Sequence, residues 1–509
     1  MRSLRIIFGN QISRNGTCLR DAEPGRDALL ITSTARNLTR YCFHKKRIVF
    51  FNSSLRHLYE DLRAEEFDVD YYPLGLRRNV SDHEQAIEAS IKKFEPERII
   101  VCTPNQYDLV QLIKGWEGRF RLPVELREDG SFLCSDAEFG QWAEGRSQFL
   151  AEDFYRFMRR KTGLLMTADG KPEGGRWNFD RDNRKRAPPD LAFPDRMRFA
   201  PDRTTREIMD MIERSYAHHP GRAEGFDYAV TGAQAEAALD HFIEKQLPYF
   251  GDYQDAMLAG EGVLYHSVLS AYFNAGMLDP LTAARRAEAA YHAGDVPLNA
   301  AEGFIRQIIG WREYVRGIYH MRMPAYGEMN FFGAGADLPG FYWTGETHMA
   351  CMRGTMEQLL EEAYTHHIQR LMVLGLFALL YGVKPKAFDD WHMDMYVDAM
   401  SWASVPNVIG MSLFADGGIV ASKPYVASGR YINRMSDYCA GCRYDPKLAT
   451  GSRACPFTTF YWDFLDRHHD KLKAFPRMAM QLKNLERKDA GELAAIRAHA
   501  DALREKLEI

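Results

Sequence analysis

Over roughly the first 135 residues, short apolar β-branched runs alternate with amphipathic helical patterns. LRIIFG (4–9), ALLITST (28–34) and RIVFF (47–51) read as strands, the last followed by a helix from about Leu55 to Glu65. VDYYPL, the helical HEQAIEASIKKF, ERIIVCTP, a helix around Tyr107 to Phe120 and LPVELRED continue the series. Strands and helices in alternation predict a mainly parallel sheet covered by helices on both faces, an α/β Rossmann-like domain over 1–135. Such sheets bind ligands beyond the strand C-termini. The first turn, FGNQIS, lacks the GxGxxG phosphate fingerprint, which disfavours an ordinary dinucleotide site.

Between Asp136 and Thr204 the pattern is less regular. A basic helix from Glu152 to Lys161 precedes GGRWNFDRDNRKRAPPD, a Gly-, Pro- and charge-rich stretch that reads as an interdomain linker over 136–204. From about Thr205 the apolar residues recur at helical spacing with short Gly/Pro breaks, as in NAAEGFIRQIIGWREYVRGIY and GTMEQLLEEAYTHHIQRLMVLGLFALLYG. An all-α domain is therefore expected over 205–509, ending in a charged helix from Ala490 to Glu508.

A length of 509 residues with 46% hydrophobic and 26% charged positions is ordinary for a globular chain of at least two domains. No run approaches the roughly 20 apolar residues of a membrane helix. MRSLRIIFGN has no cleavage-site pattern, so a soluble cytoplasmic protein is expected. The net charge of −4 announces no nucleic-acid partner, yet Arg156 to Arg206 holds 14 basic and 7 acidic residues. That local excess fits either a solvated surface or a phosphate-binding stripe.

Cys18, Cys42, Cys102 and Cys134 are scattered through the α/β half and are assigned no chemistry. Cys439, Cys442 and Cys455 form a C-x2-C-x12-C unit, and Cys351 precedes it by 88 residues. Four thiolates complete a soft site for zinc or for an iron-sulfur cluster, and spacing does not choose between them.

The helical half also carries polar residues that interrupt apolar helices: Gln254, Asp255, Ser267, Ser270, Arg306 and Arg312. Buried polar groups without partners cost roughly 1–3 kcal/mol each, so these either face solvent or line a polar ligand site. His366 and His367 suit proton donation near neutral pH, with Arg370 one turn beyond His366. Asp398 and Asn407 fall in a segment rich in Gly and Pro, and five of eight tryptophans, Trp343 and Trp391 among them, lie after residue 300.

Taken together, RRKTGLLM (159–166), GGRWNFD (174–180), EGFIRQIIGWREY (302–314), FYWTGETHM (341–349), THHIQRLM (365–372), PNVIGMSLFADGG (406–418) and YINRMSDYCAGCRYDP (431–446) resemble the photolyase–cryptochrome superfamily. The likeness is to its prokaryotic iron-sulfur branch, the bacterial (6-4) photolyases and their cryptochrome-like relatives. It implies an N-terminal antenna domain and a helical domain holding FAD. Gln254, Ser267, Ser270, Arg306 and Arg312 would line the flavin, Arg370 would pair with Asp398 beside its ring system, and Asn407 would face flavin N5. Cys351, Cys439, Cys442 and Cys455 match the ligands of a 4Fe-4S cluster. His366 and His367 match the histidine pair of the lesion pocket. Tyr425 and the basic linker, including Arg184 and Lys185, look like lesion and backbone contacts on UV-damaged DNA. A monomer is expected.

The chain departs from the branch in places. Asn10 and Asn37 stand where acidic residues hold a ribityl-lumazine antenna. Trp391 and Trp343 match the flavin-proximal and distal members of an electron-transfer chain, while His392 and Met400 replace neighbouring tyrosines, and Leu376 replaces a polar Asn. The leading expectation is light-driven reversal of (6-4) photoproducts. The rivals are a cryptochrome-type photoreceptor with regulatory output and a non-catalytic nucleic-acid-binding module built on a four-cysteine zinc site.

Overall fold

The structure, a computed structural model, describes residues 1–33, 41–73, 82–188 and 191–506. The N-terminal strands β1 (Ser3–Phe8), β2 (Asp27–Thr32), β3 (Asp68–Tyr72), β4 (Ile99–Cys102) and β5 (Val124–Arg127) form one parallel sheet in the order β3-β2-β1-β4-β5. Alternation along the strands sends side chains to opposite faces. Leu4, Ile6, Phe8, Leu30 and Val101 join Ile87 and Trp116 of the helices His83–Phe94 and Trp116–Phe120 in one core. Ile7, Leu29 and Ile31 face the other way, into the core they share with Val49 and Leu55 of the helix Lys45–Ala64 and with the helical body.

RIVFF (47–51) is not a strand. It lies inside the 20-residue helix Lys45–Ala64, capped by His44, whose side chain accepts from Lys46 N. Lys45 through Phe50 are all buried, because this turn is enclosed by the sheet on one side and the helical body on the other. A helix buried all round shows no 3.6-residue period, and its short apolar run is then indistinguishable from a buried strand. Its cations are tied across the fold. Lys45 bonds Glu213 at 2.7 Å, Lys46 bonds Gly225 O at 3.0 Å, and Arg47 donates to the carbonyls of Tyr396 and Ala399 at 2.8 and 2.5 Å.

The region after residue 135 carries two helices, Asp136–Ala143 and Ala151–Thr162, that pack into the helical body. Phe139 fills the space where a Cβ on Gly317 would stand, and Tyr155 closes to 3.1 Å of the corresponding point on Gly310, so these two glycines permit the contacts. Arg159 is buried among the carbonyls of Leu164, Leu165 and Trp177, which makes it part of the core and removes it from any basic surface.

Four π-helical segments interrupt the long helices among the described residues: Phe242–Gln246, Arg306–Arg312, Arg370–Gly375 and Pro406–Ser412. Three of them contain the site residues Arg306 and Arg312, Arg370, and Asn407. A π-turn widens the helix by one residue and re-aims its side chains, a device found at functional sites. Among the described residues no helix is long and apolar enough to cross a membrane.

Candidate functional site

Arg370 opens its π-segment and forms a two-pronged ion pair with Asp398, Nη1 to Oδ1 at 3.0 Å and Nη2 to Oδ2 at 3.1 Å. Ser270 donates to the same carboxylate at 2.5 Å, and Asn274 to the Asp398 carbonyl at 2.7 Å. Burial would raise the Asp398 pKa, but the Arg370 guanidinium and these hydrogen bonds hold it below the ordinary carboxylate value. The guanidinium also lies 4.0 Å from the centroid of the Tyr396 ring, and its Nε donates to Thr365 O at 2.7 Å. His392 stacks on the other partner of this group, Tyr396, at 4.4 Å. Its Nδ1 is buried without a hydrogen-bond partner, and burial pulls its pKa down to about 3.

Trp391 is buried next to this cradle and donates from Nε1 to Tyr342 O at 2.8 Å, with the Tyr342 ring edge-on at 5.1 Å. The following residue, Trp343, is 40% exposed. Tyr342, which Trp391 contacts, and the exposed Trp343 are thus adjacent chain positions. The Asn407 side chain bonds back to Ala403 O at 2.8 Å.

The histidine pair is split by its surroundings. His366 caps the short helix His367–Gln369; it is fully buried, and neither ring nitrogen has a hydrogen-bond partner. His367 is solvent-accessible, with protein packed close around its ring. That enclosure, with the nearby Arg370 charge, lowers its pKa to about 4. Gln254 Oε1 is also buried without a partner. Beside it Asp255 is pushed up to about 6 by burial and by Asp180. Arg184 approaches Asp255 at 3.9 Å and pairs with Asp180. Tyr425, 37% exposed, faces the same group, and burial and Asp180 raise its pKa. Arg306 reaches Asp180 and Glu302, each at 3.3 Å. The Ser267 hydroxyl accepts from Leu269 N at 3.4 Å. Arg312 sits apart from these groups, 3.8 Å over the Phe132 ring and 5.3 Å from Trp402, with hydrogen bonds to Ser131 O and Glu313.

Three separate segments bring the four second-half cysteines together. Cys351 lies in the first turn of the helix Ala350–Glu362, Cys439 in the turn Tyr438–Gly441 with Cys442 just after it, and Cys455 caps the helix Pro456–Arg467. Their thiols ring a small cavity closed by apolar side chains such as Met349, Ile432 and Phe457. Burial and the neighbouring sulfurs push Cys439 up to about 12, and the same causes raise Cys351.

The family description "Deoxyribodipyrimidine photo-lyase-related protein" matches residues 5–228. A curated relative, the "(6-4) photolyase" of Agrobacterium fabrum, is 46% identical over 508 residues, all of both chains. The chain belongs to the photolyase–cryptochrome superfamily. Solved structures of a bacterial class III photolyase from Agrobacterium tumefaciens (TM-score 0.59, 14% identity, 99% of this chain and 98% of that one) and of a Synechocystis cryptochrome (TM-score 0.56, 12% identity, 100% and 99%) share its fold. A parallel sheet domain joined to a helical body is thus the photolyase–cryptochrome architecture.

Within this photolyase chain, some contacts had no sequence signal. His266 stacks on His366 from a hundred residues away, and Tyr396 is gripped between Arg370 and His392 although nothing in its local pattern marks it. The basic stretch is largely paired: Arg176 with Asp182, Lys185 with Asp252, Arg196 with Asp227 and Glu362. Arg184 and Lys185 are both exposed. Asn10 occupies the turn after β1, which packs on the helical body through Ile12 N to Ala275 O at 2.8 Å. Asn37 lies outside the described residues.

Proposed function

We propose that this chain is a (6-4) photolyase, a light-driven lyase that restores (6-4) photoproducts in UV-damaged DNA. The observation that carries the reading is its 46% identity, end to end, with a curated protein of that name.

The residues fit a flavin. Gln254 Oε1 and His392 Nδ1 are buried polar atoms with no partner in the chain, and the Arg370–Asp398 pair offers a fixed cation and anion beside His392. Gln254, Ser267, Ser270, Arg306, Arg370, Asp398 and Asn407 would hold FAD, which when bound supplies the light-excited electron donor, while Arg312, taken up by Phe132, Ser131 and Glu313, would stand outside that set. Trp391 and Trp343 would carry reducing electrons inward from the surface. The residues also fit a 4Fe-4S cluster at Cys351, Cys439, Cys442 and Cys455. Four thiols around one cavity closed by apolar side chains make up the donor set such a cluster takes. The ribityl-lumazine antenna belongs to the reading only through Asn10, an amide in place of an acid.

The chain's own chemistry concerns binding and a proton. Arg184 and Lys185 would meet backbone phosphates by exchanging their acidic partners for them, which makes binding weaken with salt. Tyr425 would pack on the extruded lesion. His367, exposed, moves a proton at the lesion, while the buried His366 stands next to it in the chain. The protein acts as a monomer. The test is blue-light repair of oligonucleotides carrying either a (6-4) photoproduct or a cyclobutane dimer. Loss of the first lesion alone is expected. Repair of neither by flavin-loaded protein would transfer the reading to a photoreceptor.

A further inference from the structure

Outside the flavin, lesion and four-cysteine sites, a thiol and two imidazoles converge from distant parts of the chain. The segment leading into the helix Lys45–Ala64 meets the turn that follows the helix Arg203–Ser215. Lys45 N donates to Pro220 O at 3.0 Å, and Cys42 N donates to Asp394 Oδ1 at 2.7 Å. At this junction Cys42 Sγ and one ring nitrogen from each of His218 and His219 lie within 4.8 Å of one another, the one such trio of His, Cys, Asp or Glu among the described residues. His219 is buried, Cys42 half-buried and His218 exposed.

The donor set is chemically selective. One thiolate and two imidazoles favour a borderline-soft ion over magnesium or calcium, which take oxygen ligands. The second contact of His219 is what a ligating imidazole needs. Its Nδ1 donates to Phe43 O at 2.7 Å, which fixes the tautomer and leaves Nε2 with its lone pair. Tyr216 packs edge-on against this ring at 5.2 Å and limits its rotation. The exposed side, at His218, leaves a fourth position open to water.

We propose that Cys42, His218 and His219 form a zinc site with water as fourth ligand. The ion links the N-terminal sheet domain to the helical body at the base of the helix Lys45–Ala64. Binding forms three bonds from the chain to zinc and releases the Cys42 thiol proton to solvent. None of these three side chains contacts the flavin, lesion or four-cysteine residues named above.

The test uses full-length protein carrying its flavin and iron, equilibrated with zinc sulfate, dialysed against metal-free buffer and analysed for metals. One zinc per chain is expected in the wild type and none above background in Cys42→Ser or His218→Ala, with iron and flavin per chain unchanged. His218 is exposed, so its variant keeps the fold even if Cys42→Ser does not. Zinc should also raise the melting temperature of the wild type and leave that of His218→Ala where it was. Equal zinc in wild type and His218→Ala, or zinc gained only as iron is lost, would overturn the proposal, the latter by placing the ion at the other four thiols.

Discussion

His266 lies flat against His366, with ring centroids 4.4 Å apart and planes 9° from parallel. The two rings differ in what holds them. His266 lies between Val263 O and Gln254 O, at 3.0 and 3.1 Å from its nitrogens, whereas neither ring nitrogen of His366 has a hydrogen-bond partner. The anchored ring therefore positions the free one. Replacing the accessible neighbour, His367→Ala, should lower single-turnover repair by about 10²–10⁴-fold, the usual scale of a lost acid-base group, with flavin content unchanged. His266→Leu should lower repair by a smaller factor, because it loosens His366 without removing it. Flash-repair yields measured beside flavin absorbance would separate the two.

The Arg370–Asp398 pair gives a stability prediction. Asp398 is 6% exposed, so Asp398→Ala strands a mostly buried guanidinium and should cost about 3 kcal/mol, the lower part of the range for breaking buried pairs. Chemical denaturation of the flavin-free protein should show a lower midpoint, and the purified variant should retain less flavin.

Gly429 stands against the four-thiol cavity. A Cβ there would come 2.7 Å from Cys455 Sγ and 3.1 Å from Thr458 Oγ1. Gly429→Ala should displace the Cys455 thiol and lower iron per chain, read by metal analysis, while flavin per chain stays near the wild-type value.

Acid should weaken the fold through His44. Its Nδ1 accepts from Lys46 N at 3.1 Å and its Nε2 donates to Leu360 O at 2.8 Å, an arrangement only the neutral ring can make. Burial, together with the nearby Lys46 and Lys45 charges, lowers its pKa from 6.5 to about 4. Between those values the unfolded chain binds a proton that the folded chain does not. The contribution is whole above pH 6.5 and is lost as pH falls toward 4, at up to about 1.4 kcal/mol per unit. Denaturation midpoints taken from pH 7 down to 5 should fall, and His44→Asn, which keeps a capping oxygen but does not titrate there, should fall less steeply.

The strands were legible where they are flanked by clear breaks: LRIIF became Ser3–Phe8 and HEQAIEASIKKF became a helix over the same residues. RIVFF was not, because burial on every side erases the polar stripe that marks a helix. In the cradle, Ser270, Arg370 and Asp398 could be named from sequence and do meet. His266 and Tyr396 could not: the first meets His366 across a hundred residues, and the contacts of the second with Arg370 and His392 form only in the fold. The basic excess from Arg156 to Arg206 was visible as charge, but the sequence does not distinguish Arg159, spent on backbone carbonyls inside the core, from the exposed Arg184.

Arg47 bonds the two carbonyls that bracket the Asp398 loop, and His44 N and Cys42 N take up Asp394 O and Oδ1 from the same stretch. The catalytic half thus borrows part of its floor from a segment that precedes it by some three hundred and fifty positions. A fragment beginning after the linker would have to leave those acceptors to water, and a graft of a foreign sheet domain would have to reproduce His44 to Arg47 as well as its own sheet. In this protein the unit of inheritance, and of engineering, is the whole chain.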